Sequence, residues 1–218
     1  MKALPARLLV VTERSATDDP EIAARQLLET LDRLLAAGIR WVWFRERDLE
    51  PDARLVLGRR VAERVRVHRG TLTVGGDAAL AAALEAQGVH LPGGSTPSDF
   101  ARARGLLPNG LVGVSAHSVP EVEAAARAGV DYATVSPIFP SASKPGYGPA
   151  LGVAALTRAA ASGLPVIALG GITTERAPGC HTAGAAGVAV MGPLMRGSNR
   201  VEQARIFLDI ASGTPDRP

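Results

Sequence analysis

The sequence predicts an α/β fold, a single-domain (β/α)8 TIM barrel, and two observations carry that expectation. A phrase recurs in which an alanine-rich helical segment meets a glycine and then a short apolar run: Ala37-Gly38-Ile39, Gln87-Gly88-Val89, Ala128-Gly129-Val130 and Ala183-Gly184-Ala185. A glycine there suits a left-handed helix cap, and a short continuous apolar run suits a parallel strand buried on both faces. Eight such runs alternate with helical segments within 218 residues, which matches a small barrel with right-handed crossovers. An open doubly wound sheet is the competing architecture, but no GxGxxG opens a helix after the first strand.

In chain order, the first strand is expected at Leu8 to Thr12, and a helix follows at Pro20 to Ala36 with Ile22, Leu27, Leu28, Leu31, Leu34 and Leu35 at helical spacing. Strands two to five fall at Ile39 to Phe44, Thr71 to Val74, Val89 to Leu91 and Leu111 to Ser115, with a helix at Pro120 to Ala128. The sixth strand, Tyr132 to Val135, runs into a loop that is rich in proline and glycine, so neither strand nor helix continues. Strands seven and eight are Pro165 to Leu169 and Val188 to Met191. A last helix spans Val201 to Ile210. No linker interrupts the chain, so residues 1–211 read as one barrel domain and 212–218 as a polar tail.

Composition narrows the function. The net charge is only +3 with 4% aromatic residues, and no basic run is interleaved with stacking side chains, which argues against nucleic acid. A weak basic excess suits a phosphorylated small molecule. Pro5 and Arg7 interrupt the apolar start, so no signal peptide is expected. No apolar stretch approaches the ~18 residues of a membrane span, so no membrane partner and a cytoplasmic location are expected. Cys180 is the only cysteine, which leaves no internal disulfide and no CxxC pair. A homo-oligomer is left open.

In a barrel the chemistry sits at the carboxyl ends of the strands. The loop from Asp131 to Gly152 is long for a compact domain, and long unstructured loops tend to be functional. Lys144 lies in it beside Ser143. Only Lys2 and Lys144 are lysine among 24 basic residues, so an ammonium at 144 is read as selected over the guanidinium this chain prefers. Strand two ends in Arg45-Glu46-Arg47-Asp48, where arginines at alternate positions can grip an anion. Strand five ends in Ser115-Ala116-His117, a hydroxyl for a substrate oxygen and a histidine that either caps the next helix or moves a proton. His90 inside strand four reads as a satisfied core residue. Gly170-Gly171 after strand seven and Met191-Gly192-Pro193 after strand eight bring glycine to the two loops that bind phosphate in many barrels, although Pro193 offers no amide hydrogen.

The ordered series VVTER, FRERDL, GVHL, VGVSAHS, DYATVSPIFPSASK, PVIALGGIT and AGAAGVAVMG resembles the thiamine-phosphate synthase and TenI family over most of the chain. In that family the synthase joins a pyrimidine diphosphate to a thiazole phosphate and releases pyrophosphate with magnesium, while TenI-type members isomerise a thiazole carboxylate phosphate. The resemblance implies that Arg45 and Lys144 face the diphosphate, that Ser115 helps line the pocket, and that Gly171 and Gly192 offer amides to the thiazole phosphate. It also marks departures. Gly75 and Gly76 stand where a synthase has Asn and a metal-binding Asp, Ser95 replaces the second metal-binding Asp, Trp43 replaces an amide that contacts the pyrimidine, and Arg47 replaces a lysine. The tautomerase histidine falls at Pro137. The expectation is therefore a TenI-like enzyme that isomerises a phosphorylated thiazole without metal or other cofactor, Lys144 or His117 moving the proton. The alternatives are the synthase, which would need magnesium, and a non-catalytic thiamine or thiazole phosphate binder.

Overall fold

Short apolar runs become strands here because both faces of each are covered. The computed structural model describes residues 2–140 and 150–213. Its strands are β1 (Leu8–Val11), β2 (Trp41–Phe44), β3 (Thr71–Gly75), β4 (Gly88–Leu91), β5 (Leu111–Ala116), β6 (Tyr132–Val135), β7 (Val166–Leu169) and β8 (Gly187–Val190). They close in sequence order into a parallel barrel, with β1 paired to β8 through Leu8↔Val188, Leu9↔Ala189 and Val10↔Val190. Helices α1 (Pro20–Ala36), α2 (Pro51–Val67), α3 (Ala78–Ala83), α4 (Pro97–Leu106), α5 (Val119–Arg127), α6 (Gly152–Ala160), α7 (Ala177–Thr182), α8 (Gly192–Met195) and α9 (Arg200–Ser212) surround it.

The period-two alternation of each strand divides the apolar residues into two cores. Leu9, Val11, Trp41, Trp43, Leu111, Tyr132, Ile167 and Ala189 fill the barrel. Leu8, Val10, Val42, Phe44, Val112, Val114 and their neighbours face the helices, where Leu27, Leu28, Leu31, Leu34 and Leu35 of α1 meet them. Helix α1 starts where it does because Asp19 accepts from the Glu21 and Ile22 amides at 2.9 and 3.1 Å and Pro20 needs no partner at its nitrogen. Among the described residues, no helix is long and apolar enough to cross a membrane.

Three of the four expected glycine caps are left-handed: Gly38 at φ +113°, Gly129 at +72° and Gly184 at +93°. Gly88 is not one. It is the first residue of β4, and a Cβ there would stand 2.9 Å from the Leu111 carbonyl oxygen, so glycine is needed for strand approach. The left-handed residue after α3 is Glu85, at φ +52°. Ile39 closes α1, donating to Leu34 O at 3.1 Å, which delays β2 to Trp41. Met191 ends outside β8, as the residue preceding α8. Cys180 is buried in α7, and burial pushes its thiol up to about 11, which makes it inert at neutral pH.

Candidate active site

The floor of the mouth is polar. His90 on β4 points into the barrel with no solvent exposure, Nδ1 lying 3.1 Å from the Tyr132 hydroxyl and Nε2 lying 3.1 Å from Ser115 Oγ and 3.2 Å from Thr134 Oγ1. Tyr132 fits because Gly113 faces it: a Cβ at 113 would fall 2.2 Å from the phenol ring. Burial, then the charges of Arg47 and Arg45, lower the His90 pKa to about 3, so the imidazole is neutral.

Above this floor, the β2 and β3 side carries Trp43, Arg45 and Arg47. Trp43 stacks on His90 with ring centroids 4.0 Å apart. A Cβ on Gly75 would lie 2.7 Å from Trp43 Nε1, so the tryptophan fills the space that any side chain at 75 would take. Positions 43 and 75 thus share one space. Arg45 directly follows β2 and Arg47 lies two residues further on, so both stand at the carboxyl end of that strand, on the mouth side of the barrel. Glu46, between them, is buried and pairs instead with Arg14 at 3.0 Å, while Arg45 anchors its amide on Thr12 Oγ1 at 2.9 Å. Neither Arg45 nor Arg47 has a carboxylate partner among the described residues.

These residues do not fit magnesium. A Cβ on Gly76 would lie 3.7 to 3.9 Å from the Arg47 guanidinium, so a cation already stands where a side chain at 76 would reach. Asp77 caps α3 through the Leu80 amide at 2.9 Å and pairs with Arg54 at 3.6 Å. Asp99 is held in the capping box of α4 with Thr96, and Ser95 bonds the Pro92 carbonyl at 2.8 Å. Magnesium wants oxygen ligands, usually including one or two carboxylates, and the nearby acids are engaged elsewhere.

The opposite side is built by β5 to β8. Ser115 is half-buried, and its hydroxyl bonds only His90 among the described residues. His117 is oriented by its Nδ1–H, which donates to Ser136 O at 2.8 Å, so in the neutral ring Nε2 carries the lone pair. Its amide donates to Glu121 at 2.9 Å, so the start of α5 is tied to the same residue. Gly170 and Gly171 have φ of +93° and +65°. A Cβ at 170 would meet Pro137 Cα at 2.8 Å and one at 171 would meet Pro140 O at 2.5 Å, so these glycines first serve the loop after β6. That loop is tied at its neck by Leu151 N to Pro137 O at 2.9 Å and Gly152 N to Ile138 O at 3.0 Å. Met191 and Gly192 open α8 without a side-chain cap. Lys144 and Ser143 lie outside the described residues.

Sequence reasoning placed His90 in the core but missed its contact with Ser115, and it missed Thr134. The polar residue types on consecutive barrel strands were the available signal; the partners lie 25 to 44 residues apart, beyond any local spacing rule.

The model of the thiamine monophosphate synthase family matches residues 8–194. The chain is 35% identical over 184 residues to the putative thiamine-phosphate synthase 2 of Aquifex aeolicus, covering 84% of this chain and 94% of that protein. It is 33% identical to the thiamine-phosphate synthase of Roseiflexus castenholzii, covering 93% and 87%. In fold it is similar to a thiamine phosphate pyrophosphorylase from Pyrococcus furiosus, with a TM-score of 0.81 at 22% identity over 97% of this chain and 98% of that one. With a full barrel, a family model matched over residues 8–194 and relatives matched over most of their length, the chain belongs to the thiamine-phosphate synthase family.

Proposed function

We propose that the protein is a thiamine-phosphate synthase, the reading that its named relatives favour over the TenI-like isomerisation expected from the sequence. In that reaction the carbon–oxygen bond to the pyrimidine's diphosphate breaks, the thiazole nitrogen forms the new carbon–nitrogen bond, and diphosphate leaves. The observation that carries the reading is the pair Arg45 and Arg47 just past the carboxyl end of β2, neither with a carboxylate partner among the described residues, the Arg47 guanidinium lying 3.7 to 3.9 Å from where a Cβ on Gly76 would stand. Such a pair suits charge that builds on a leaving diphosphate. Ser115 bonds a substrate oxygen or nitrogen, and the Gly170-Gly171 and Met191-Gly192 turns hold the thiazole phosphate. Lys144 is assigned to the diphosphate side by family position, and Ser143 beside it is assigned to substrate binding. No step is routed through magnesium.

One observation favours a second reading. Trp43 fills the space that Gly75 vacates, where the family places a pyrimidine contact, and this suits a site that takes the thiazole alone and isomerises it with His117 Nε2 as base. Incubating the protein with the pyrimidine diphosphate and thiazole phosphate, then separately with the thiazole carboxylate phosphate, decides between them. Thiamine phosphate and diphosphate released in equal amounts are expected. Isomerisation of the carboxylate without coupling would replace the first reading with the second, and binding without either turnover would leave a phosphate binder.

A further inference from the structure

The arginine pair at the end of β2 carries its own competitors. Arg45-Glu46-Arg47-Asp48 holds two arginines and two acids, so its formal charges cancel. Consecutive Cα atoms stand about 3.8 Å apart, which keeps each acid within charge reach of both cations at ordinary ionic strength. Arg47 and Asp48 lie in a turn, so the alternation of β2 no longer holds neighbouring side chains on opposite faces. Left to itself, the run would engage its own carboxylates before it engaged a ligand.

Both acids are instead held by Arg14, in the loop after β1. Its Nε donates to Glu46 Oε2 at 3.0 Å, its amide donates to the same oxygen at 3.4 Å, and its Nη2 pairs with Asp48. Two hydrogen bonds bring Arg14 to this place. Thr12 N donates to Trp43 O at 2.9 Å and Arg45 N donates to Thr12 Oγ1 at 2.9 Å, so the ends of β1 and β2 are joined just before the ionic residues begin. The Arg14 and Glu46 side chains are only 15% and 5% exposed, whereas Asp48 is open to solvent. Glu46 Oε1 is buried and makes no hydrogen bond among the described residues, so the carboxylate depends on Arg14 for its partner.

We infer that Arg14 is a positioning residue for the anion site: by drawing Glu46 and Asp48 towards β1, it leaves Arg45 and Arg47 uncompensated and open to the oxygens of a diphosphate. Neither of those arginines has a carboxylate partner among the described residues, although an acid adjoins each in sequence. Three guanidinium groups then stand against two carboxylates, and the surplus positive charge lies on the side away from Arg14, where an anion meets it. The inference rests on the proposed function only in taking Arg45 and Arg47 as the anion pair, and it needs no coupling chemistry.

Calorimetry with inorganic diphosphate in EDTA tests it on the whole protein. Arg14→Gln is expected to weaken binding by up to about tenfold, because the freed Glu46 carboxylate offsets one of the two cations. Glu46→Gln breaks the same ion pair but removes the acid, so it is expected to leave binding no weaker, and the double variant is expected to regain most of the loss. A merely structural ion pair predicts equal losses from the two single variants and no recovery in the double, and either result overturns the inference. Arg14→Lys keeps the net charge without the directed arms that hold two acids, so a smaller loss is expected there. Full affinity in Arg14→Lys would assign the effect to net charge alone and overturn the positioning role, and this variant carries the test if Arg14→Gln fails to fold. Wild-type protein that binds no diphosphate would overturn the anion pair and the inference together, whereas wild-type binding that Arg14→Gln leaves unchanged overturns the inference alone.

Discussion

On the β2–β3 side of the mouth, Gly75 makes room for a side chain, the Trp43 indole, whose Nε1 would lie 2.7 Å from any Cβ at that position. On the β6–β7 side, Gly170 and Gly171 make room for main chain, the Pro137 Cα at 2.8 Å and the Pro140 carbonyl at 2.5 Å, and both adopt positive φ. A side chain can rotate or be exchanged for a smaller one, whereas a backbone held by its own hydrogen bonds cannot, so the two sides differ in what they tolerate. The first is an adjustable wall, whose residues set what enters. The second is a fixed wall, braced by Arg176, which donates to Gly171 O at 2.8 Å and stacks 4.9 Å over Phe139.

Acid should separate the two walls most strongly. His90 lies under Trp43 on the adjustable side, and its pKa is lowered to about 3 against about 6.5 in the unfolded chain. The unfolded state thus binds a proton first as pH falls. Stability from this group is complete above about pH 6.5 and declines towards pH 3 by about 1.4 kcal/mol per pH unit. Urea unfolding across that window should show the slope, and tryptophan fluorescence should change with it. A flat profile would mean that His90 charges as readily in the folded protein as outside it.

Substitution at the fixed wall comes next in size. Gly171→Ala adds left-handed strain and a clash with main chain, for a loss of roughly 2 to 5 kcal/mol in urea or thermal unfolding. The matching change on the adjustable wall, Gly75→Ala, should cost about 1 to 3 kcal/mol, and in the background of Trp43→Phe, which removes Nε1, it should cost much less. Equal, additive losses at both sites would erase the distinction between the walls.

The sequence made the barrel legible because its strands are continuous apolar runs, and Tyr132 to Val135 was read with both ends correct. Ends slipped where a residue serves its neighbour, as Ile39 closes α1 and Met191 precedes α8. Glycine was the ambiguous letter: Gly38 is a cap, Gly88 a point of strand approach and Gly75 a vacancy for Trp43, and only three-dimensional neighbours tell these apart. The mouth arginines were legible from alternation at the end of β2. That Trp43 and Gly75 form one unit was not, because they are 32 residues apart in sequence and meet only through the β2–β3 register, Trp43↔Thr73 and Phe44↔Val74.

The smallest expected effect tests whether the adjustable wall carries the anion. Arg47 reaches solvent, lacks a carboxylate partner among the described residues, and stands beside Gly76. Although Arg47 reaches solvent, partial desolvation of its side chain and then the charges of Arg45 and Arg54 lower its pKa, and with Arg54 already paired to Asp77 an incoming anion relieves the repulsion between Arg45 and Arg47. Calorimetry with inorganic diphosphate in EDTA should therefore show binding, and Arg47→Ala should weaken it by roughly tenfold, about 1.4 kcal/mol. Arg47→Lys should recover part of the loss, since an ammonium keeps the charge but not the paired donors. Binding that vanishes in EDTA and returns with magnesium would assign the anion to a metal instead, and the guanidinium beside Gly76 would then be an obstacle that the site works around.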